Sequence, residues 1–167
     1  EVPLAFLRHS TSKIRSAEDL THLSSLGFRG EALSSISAVA RVELITKTRE
    51  DVFGTKYIIE GGKGRTPEET GAPDGTTFLV RQLFFNTPAR FKHLSNASTE
   101  LSHILSFVNR CSLAYPNIAF ILSNNSKVLY ATTGDGDYAM IIRSIYGHEV
   151  AKNMISFEDS NGMYKIH

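Results

Sequence analysis

The chain holds a single cysteine, Cys111, in 167 residues. No intrachain disulfide can form, cysteine-cluster metal sites are excluded, and a reducing compartment is the expectation. Long apolar runs are missing as well. No stretch approaches the ~18 residues of a membrane span, and no basic-then-apolar leader opens the chain, so a cytoplasmic, non-membrane protein is expected. A dominant charge is also lacking: 18 Lys and Arg stand against 17 Asp and Glu, a formal net charge of +1. Net field alone therefore cannot attract a polyanion, and nucleic-acid contact would have to come from a local patch. Neither a repeat nor a low-complexity tract is visible. What is present, 41% hydrophobic and 21% charged residues, is the composition of an ordinary folded protein, with length for one domain or two small ones.

Both ends read as interrupted elements. The run Glu1-Val2-Pro3-Leu4-Ala5-Phe6-Leu7 opens without Met as an amphipathic helix already under way, and Tyr164-Lys165-Ile166-His167 stops as abruptly. A piece of a longer protein is expected. His9 to Leu26 reads as a polar loop with at most a short helical turn. Gly27-Phe28-Arg29-Gly30 then leads into a helix from Glu31 to Ala38, with Leu33, Ile36 and Ala40 at helical spacing and an acid in the first turn. Three strands follow and read as one sheet. In the first, Val42, Leu44 and Thr46 alternate with Arg41, Glu43 and Lys47; the second holds Tyr57-Ile58-Ile59; the third runs from Phe78 to Phe84. Gly61-Gly62-Lys63-Gly64 and Thr70-Gly71-Ala72-Pro73-Asp74-Gly75 between them are turn chemistry.

A helix is predicted from Ser98, as N-cap, to Ala114, with Leu101, Ile104, Leu105, Val108 and Cys111 on its inner face and Pro116 beyond its end. After Pro116 the pattern restarts. Ile118 to Leu122 and Val128 to Thr132 flank Asn124-Asn125-Ser126-Lys127 as a hairpin, and a helix from Asp137 buries Ile141, Ile142 and Ile145 before stopping at Gly147. Further strands are expected at Met154 to Phe157 and Tyr164 to Ile166. The domain boundary falls at 115/116 in this reading.

The sharpest local signal for chemistry is Gly27-Phe28-Arg29-Gly30-Glu31-Ala32-Leu33. A glycine loop feeding a helix N-terminus offers exposed backbone N–H groups and a favourable dipole to phosphate oxygens, and Arg29 adds charge. The alternative is a tight turn with no ligand. Thr11-Ser12-Lys13 supplies hydroxyls and an ammonium suited to a triphosphate, or is a solvated loop. Gly75-Thr76-Thr77 either places a hydroxyl near a ligand or merely opens a strand. The six histidines show no metal spacing. Asp135-Gly136-Asp137 lacks the ligand ladder of a calcium loop and reads as a turn with a helix cap. Arg81, Arg90, Lys92 and Arg110 lie in a stretch whose one acid is Glu100, a DNA-phosphate surface or a solvated face. Cys111 reads as a packed small hydrophobe.

Taken in order, four segments resemble the MutL family of GHKL ATPases: Arg8-His9-Ser10-Thr11-Ser12-Lys13-Ile14, Leu26 to Ile36, Gly75-Thr76-Thr77, and Leu83-Phe84-Phe85-Asn86-Thr87-Pro88-Ala89-Arg90. Ser10, Phe91 and His93 depart slightly from the family pattern. The resemblance implies an α/β sandwich: residues 1–115 as the later part of a GHKL ATP-binding domain, and 116–167 as the start of a second α/β domain. It implies that Thr11, Ser12, Lys13, Gly27, Phe28, Arg29, Gly30, Glu31, Ala32 and Leu33 belong to the ATP lid and phosphate contacts. Gly75 and Thr76 would lie at the adenine end. Arg90 and Lys92 are the candidates for touching DNA. ATP with Mg2+ is the implied cofactor pair, and MutS, DNA, a downstream nuclease and helicase, and a homodimeric or heterodimeric partner are the implied partners, in a cytoplasmic, nucleoid-associated protein.

The family's general-base Glu, its magnesium-binding Asn and its Asp-Asn-Gly-x-Gly adenine motif do not occur here. The full-length protein is thus expected to be an ATP hydrolase and this chain alone to be inactive. Two rivals stand beside this reading: another GHKL ATPase, such as a type II topoisomerase subunit, and a non-catalytic interaction domain that has lost the first two motifs.

Overall fold

A computed structural model describes residues 2–16, 18–22, 27, 29–155, 159–160 and 165–166. The chain packs as two compact units, residues 1–94 and 95–167. The first contains a 3-10 turn over Val2–Phe6, a second over Glu18–His22, helix α1 (Ala32–Val39), strands β1 (Arg41–Lys47), β2 (Gly54–Glu60), β3 (Lys63–Gly64), β4 (Glu68–Thr70) and β5 (Gly75–Arg81), and helix α2 (Pro88–Lys92). The opening segment is a tight 3-10 turn, not the amphipathic α-helix expected.

The antiparallel sheet runs β3-β2-β1-β5, with β4 also pairing β2. Alternation sets its faces. Val42 and Leu44 of β1 and Tyr57 and Ile59 of β2 point to one side, where they form a core with Ala40 and Phe6 and with Val2 and Leu33 packed against it. Phe6 stacks at a tilt on Tyr57, ring centroids 5.5 Å apart. The opposite face carries charge: Glu43 sits 3.4 Å from Lys56 and 3.5 Å from Arg81, and Lys47 pairs with Asp74. Burial is uneven along the core face. Phe78 and Val80 lie opposite Leu44 and Val42 in the β1–β5 register yet are 44% and 48% exposed.

Three strand expectations need correction. The third strand ends at Arg81, short of Phe84, because Gln82 and Phe84 take positive φ (52° and 64°) and leave the extended region. The Gly61–Gly64 segment is not all turn: Gly61 and Gly62 (φ 54° and 80°) make a two-residue hairpin that pairs Glu60 with Lys63, opening β3. The Thr70–Gly75 segment likewise overlaps β4 at Thr70 and β5 at Gly75. On α1, Leu33 packs on the core as expected, whereas Ile36 is exposed.

The second unit holds α3 (Ala97–Ala114), β6 (Ile121–Asn124), β7 (Lys127–Ala131), α4 (Tyr138–Tyr146), α5 (His148–Lys152), β8 (Asp159–Ser160) and β9 (Lys165–Ile166). Asn96, not Ser98, caps α3: its Oδ1 accepts from Thr99 N at 2.9 Å and from the hydroxyls of Ser98 and Thr99. Glu100 reaches back to Ser95 N at 2.9 Å. Of the expected inner face, Ile104 is 49% exposed, while Ser112, which that expected face does not include, is fully buried. The Ser112 hydroxyl donates to Asn109 O, so Tyr130 Oη, 2.6 Å away, donates to Ser112 and ties α3 to β7. These contacts place α3 in the second compact unit. In the hairpin the strand starts at Ile121 and the turn is Asn125-Ser126, both left-handed (φ 47° and 65°). Asp137 caps α4 through Ala139 N and Met140 N, and Gly147 (φ 89°) ends it, both as expected. Met154 and Ile155 are not in a strand, and the rest of that expected strand, with Tyr164, lies outside the described residues.

The buried strand face predicts an asymmetry. Leu44→Ala should cost about 2–5 kcal/mol and Ile36→Ala no more than about 0.5 kcal/mol in urea unfolding. Equal losses at the two positions would refute this placement of the core.

Candidate functional site

Leu4, Ala5, the run Ser10 to Lys13, Gly27 and the run Arg29 to Leu33 line a cavity of about 830 Å3. Nine of the residues named from sequence are therefore brought together: Thr11, Ser12, Lys13, Gly27, Arg29, Gly30, Glu31, Ala32 and Leu33. Phe28 lies outside the described residues. Sequence reasoning missed Leu4 and Ala5, whose apolar pattern signalled only a helix, and it gave Ser10 no role.

The two halves of the site meet through a glycine. Gly30 has φ 64°, and a Cβ there would collide with the Ser10 carbonyl oxygen and fall 2.8 Å from Ser10 N. The chain reaches this point through Leu7 N to Leu4 O (3.1 Å) and Ser10 N to Leu7 O (3.4 Å), with His9 held at φ 62°. Such a close backbone approach is what glycine permits. Beyond Ser10, Thr11 Oγ1 accepts from Lys13 N at 3.2 Å, which orders the loop and leaves the hydroxyl proton able to donate elsewhere.

Glu31 occupies the N-cap position of α1 and makes no capping bond. Its carboxylate instead lies 3.3 Å from His9 Nδ1. The first turn of α1 thus carries no side-chain cap, the condition in which a helix end can offer its N–H groups to an anion. Downstream of Lys13, Asp19 Oδ2 accepts from Arg15 N (2.7 Å) and Ser16 N (3.0 Å). The Arg15 N–H first, then that of Ser16, hold the Asp19 carboxyl below its ordinary range.

Other candidates lie elsewhere. Gly75 and Thr76 are not among the cavity residues; they open β5, where Gly75 pairs with Lys47 and Thr76 Oγ1 lies 2.9 Å from Thr46 Oγ1. Arg90 and Lys92 are exposed in the last turn of α2, where cations also complement the helix dipole. Among the described residues, no three His, Cys, Asp or Glu gather as a metal would require. No described helix is long and apolar enough to cross a membrane.

The two glycines of the loop should respond differently to alanine. Both have positive φ, but among the described residues nothing lies within 4 Å of a Cβ on Gly27. Gly27→Ala should cost about 1 kcal/mol from backbone strain alone. Gly30→Ala should cost distinctly more, because the Ser10 backbone must also move. Equal unfolding free energies for the two variants would show that the Ser10–Gly30 approach does not constrain the fold.

No protein-family model matches the chain. It is 52% identical over 166 residues to the DNA mismatch repair protein MutL of Agathobacter rectalis, covering 99% of this chain and 26% of that protein. The MutL of Lactobacillus helveticus is 48% identical with the same coverage, and that of Clostridium beijerinckii 45% identical over 167 residues, 100% of this chain and 25% of that one. The chain thus spans about a quarter of the length of these curated relatives. Among solved structures, the Aquifex aeolicus MutL ATPase domain complexed with ADP superposes with TM-score 0.66 at 26% identity, over 79% of this chain and 52% of that one. A second structure of the ATPase domain, from the Aquifex aeolicus mismatch repair endonuclease MutL, gives 0.60 at 25% identity, over 77% and 48%. The topoisomerase alternative is not favoured. With about half its residues identical to a MutL protein along nearly its whole length, and with the fold of GHKL ATPase domains, the chain belongs to the MutL family.

Proposed function

We propose that this chain forms one wall of the ATP site of a MutL-type DNA mismatch repair protein. The observation that carries the reading is the convergence of Ser10–Lys13 and Arg29–Leu33 on one cavity at an uncapped helix start. The residues fit an oligophosphate: hydroxyls at Thr11 and Ser12, cations at Lys13 and Arg29, and the first-turn amides of α1. Glu31 would be unwelcome beside phosphate, and its proximity to His9 offsets part of that charge when the imidazole is protonated. Gly75 and Thr76 would act at the adenine end. Residues 1–115 would belong to the ATP-binding domain and 116–167 to the domain that follows it.

In the intact protein, ATP binding and slow Mg2+-dependent hydrolysis would drive dimerisation of this region and couple mismatch recognition by MutS to a downstream nuclease and helicase. Arg90 and Lys92, both exposed, would contribute to DNA contact. General base, magnesium-binding Asn and adenine motif all have to come from outside these 167 residues.

The isolated chain should therefore release no phosphate from ATP above background, since positioning and metal stabilisation carry phosphoryl transfer. Turnover like that of the intact protein in a coupled assay would contradict this.

In the intact protein, Lys13→Ala should weaken binding of a non-hydrolysable ATP analogue by about tenfold or more, the worth of a charge-assisted hydrogen bond. A comparison lysine must lie outside the cavity and be exposed, which excludes Lys47, 16% exposed and paired with Asp74. Lys63, exposed in β3, serves instead, and Lys63→Ala should stay within about twofold of wild type. Equal effects in calorimetry would remove Lys13 from the phosphate contacts.

A further inference from the structure

The two ends of α1 are treated in opposite ways. At its C-terminal end, four successive carbonyls each accept an N–H from outside the helix. Ser37 O receives Gly62 N (2.9 Å), Val39 O receives Phe84 N (2.7 Å) and Ala40 O receives Gly61 N (3.3 Å). Ala38 O receives the one side-chain donor, Asn86 Nδ2, at 2.9 Å. Helix ends leave such carbonyls without intrahelical partners, and here two loops supply them all. The loops also meet each other: a Cβ on Gly61 would lie 3.3 Å from Phe85 Cζ and 3.5 Å from Asn86 Nδ2. The backbone donors are held in place by left-handed conformations at Gly61, Gly62 and Phe84.

At the other end, the Glu31–Leu33 segment lines the cavity and carries no side-chain cap. An eight-residue helix, roughly 12 Å long, is too short to hold itself in water. Its orientation is therefore set by whatever grips it, and these four bonds grip it at the end away from the cavity. We propose that Asn86 is a positioning residue for the anion site: by holding the Ala38 carbonyl it fixes the axis of α1, so that the first-turn N–H groups meet phosphate oxygens already oriented. This rests on the nucleotide reading given above. Loosening the clamp adds an ordering cost to ligand binding, which appears as weaker affinity without removal of any ligand contact.

Asn86 is exposed, so its role divides cleanly between shape and donor. Asn86→Asp keeps the shape, loses the N–H2 and sets a carboxylate against a carbonyl at the negative end of a helix dipole. Asn86→Gln keeps the amide donor, on a side chain one methylene longer.

Binding of a non-hydrolysable ATP analogue to the intact protein, measured by calorimetry at neutral pH with thermal unfolding of each variant recorded alongside, tests the assignment. We expect Asn86→Asp to weaken binding by about tenfold, Asn86→Ala by about fivefold, and Asn86→Gln to stay within about threefold of wild type, all three variants remaining folded at the assay temperature. Should Asn86→Asp fail to fold, the contrast between Asn86→Ala and Asn86→Gln decides the same question. Wild-type affinity in the Asp and Ala variants would overturn the positioning role and leave the nucleotide reading intact. Failure of the wild-type protein to bind the analogue would overturn both.

Discussion

The backbone of Ser10 lies so close to Gly30 that no side-chain carbon fits between them, and the candidate site depends on that approach. Two polar segments, about twenty residues apart in sequence, meet there through a close approach of their main chains. The opening 3-10 turn contributes by anchoring Phe6 in the sheet core against Tyr57, which fixes where the chain leaves the core and starts toward Ser10. Hydrophobic burial thus positions the first segment, and a missing Cβ lets the second meet it. Hydroxyls, cations and amides come together as a consequence of those two facts, and the exposed His9–Glu31 contact adds a link between the segments.

The sheet that supports this arrangement is built from the inside outward. Val42 and Leu44 are covered on one face, flanked in register by Ile59 and Tyr57, while the matching positions on β5, Val80 and Phe78, remain about half exposed. Burial on β1 and β2 is supplied by Ala40, Phe6, Val2 and Leu33, residues just before the sheet or at the chain start. Their reach does not extend across β5. The opposite face is stabilised differently, by Glu43 bridging Lys56 and Arg81 across neighbouring strands. Such partly exposed pairs contribute little energy, about 1 kcal/mol or less each, and serve more to fix register than to supply stability.

Periodic signals were legible in the sequence, and signals carried by main-chain geometry were not. The alternation of Val42 and Leu44 with charged residues gave β1, and Asp137 with Gly147 bounded α4 correctly, because each rests on local chemistry that one side chain carries. The misread ends have a common cause. Ser98 and Asn96 are both competent caps, and only the fold decides that Asn96 gathers three donors at once. The strand that reads through Leu83 and Phe84 stops at Arg81 because Phe84 gives its N–H to Val39, a tertiary demand that outweighs the β-propensity of an aromatic residue. Ile36 and Ile104 fell at helical spacing yet face outward, since periodicity fixes a face without saying that anything covers it. At the site, the loop motifs brought nine named residues to one cavity, whereas Gly75 and Thr76, which from sequence could either face a ligand or open a strand, open β5 and are not among the cavity residues.

The segment Leu83 to Arg90 shows why a sharp motif need not touch a ligand. It was among the most specific parts of the resemblance, yet none of its residues lines the cavity. The Phe84 N–H and the Asn86 side chain instead bond to carbonyls at the far end of α1, where Phe84 accepts an unfavourable left-handed backbone to make its bond. Each of those carbonyls would otherwise lack a partner, and few residue types could take the same positions. A donor amide is needed at 86, and a residue willing to adopt positive φ at 84. Backbone accounting can therefore constrain a sequence as tightly as contact with a ligand does. The helix carries the result of that accounting to the other end, where the chemistry would take place.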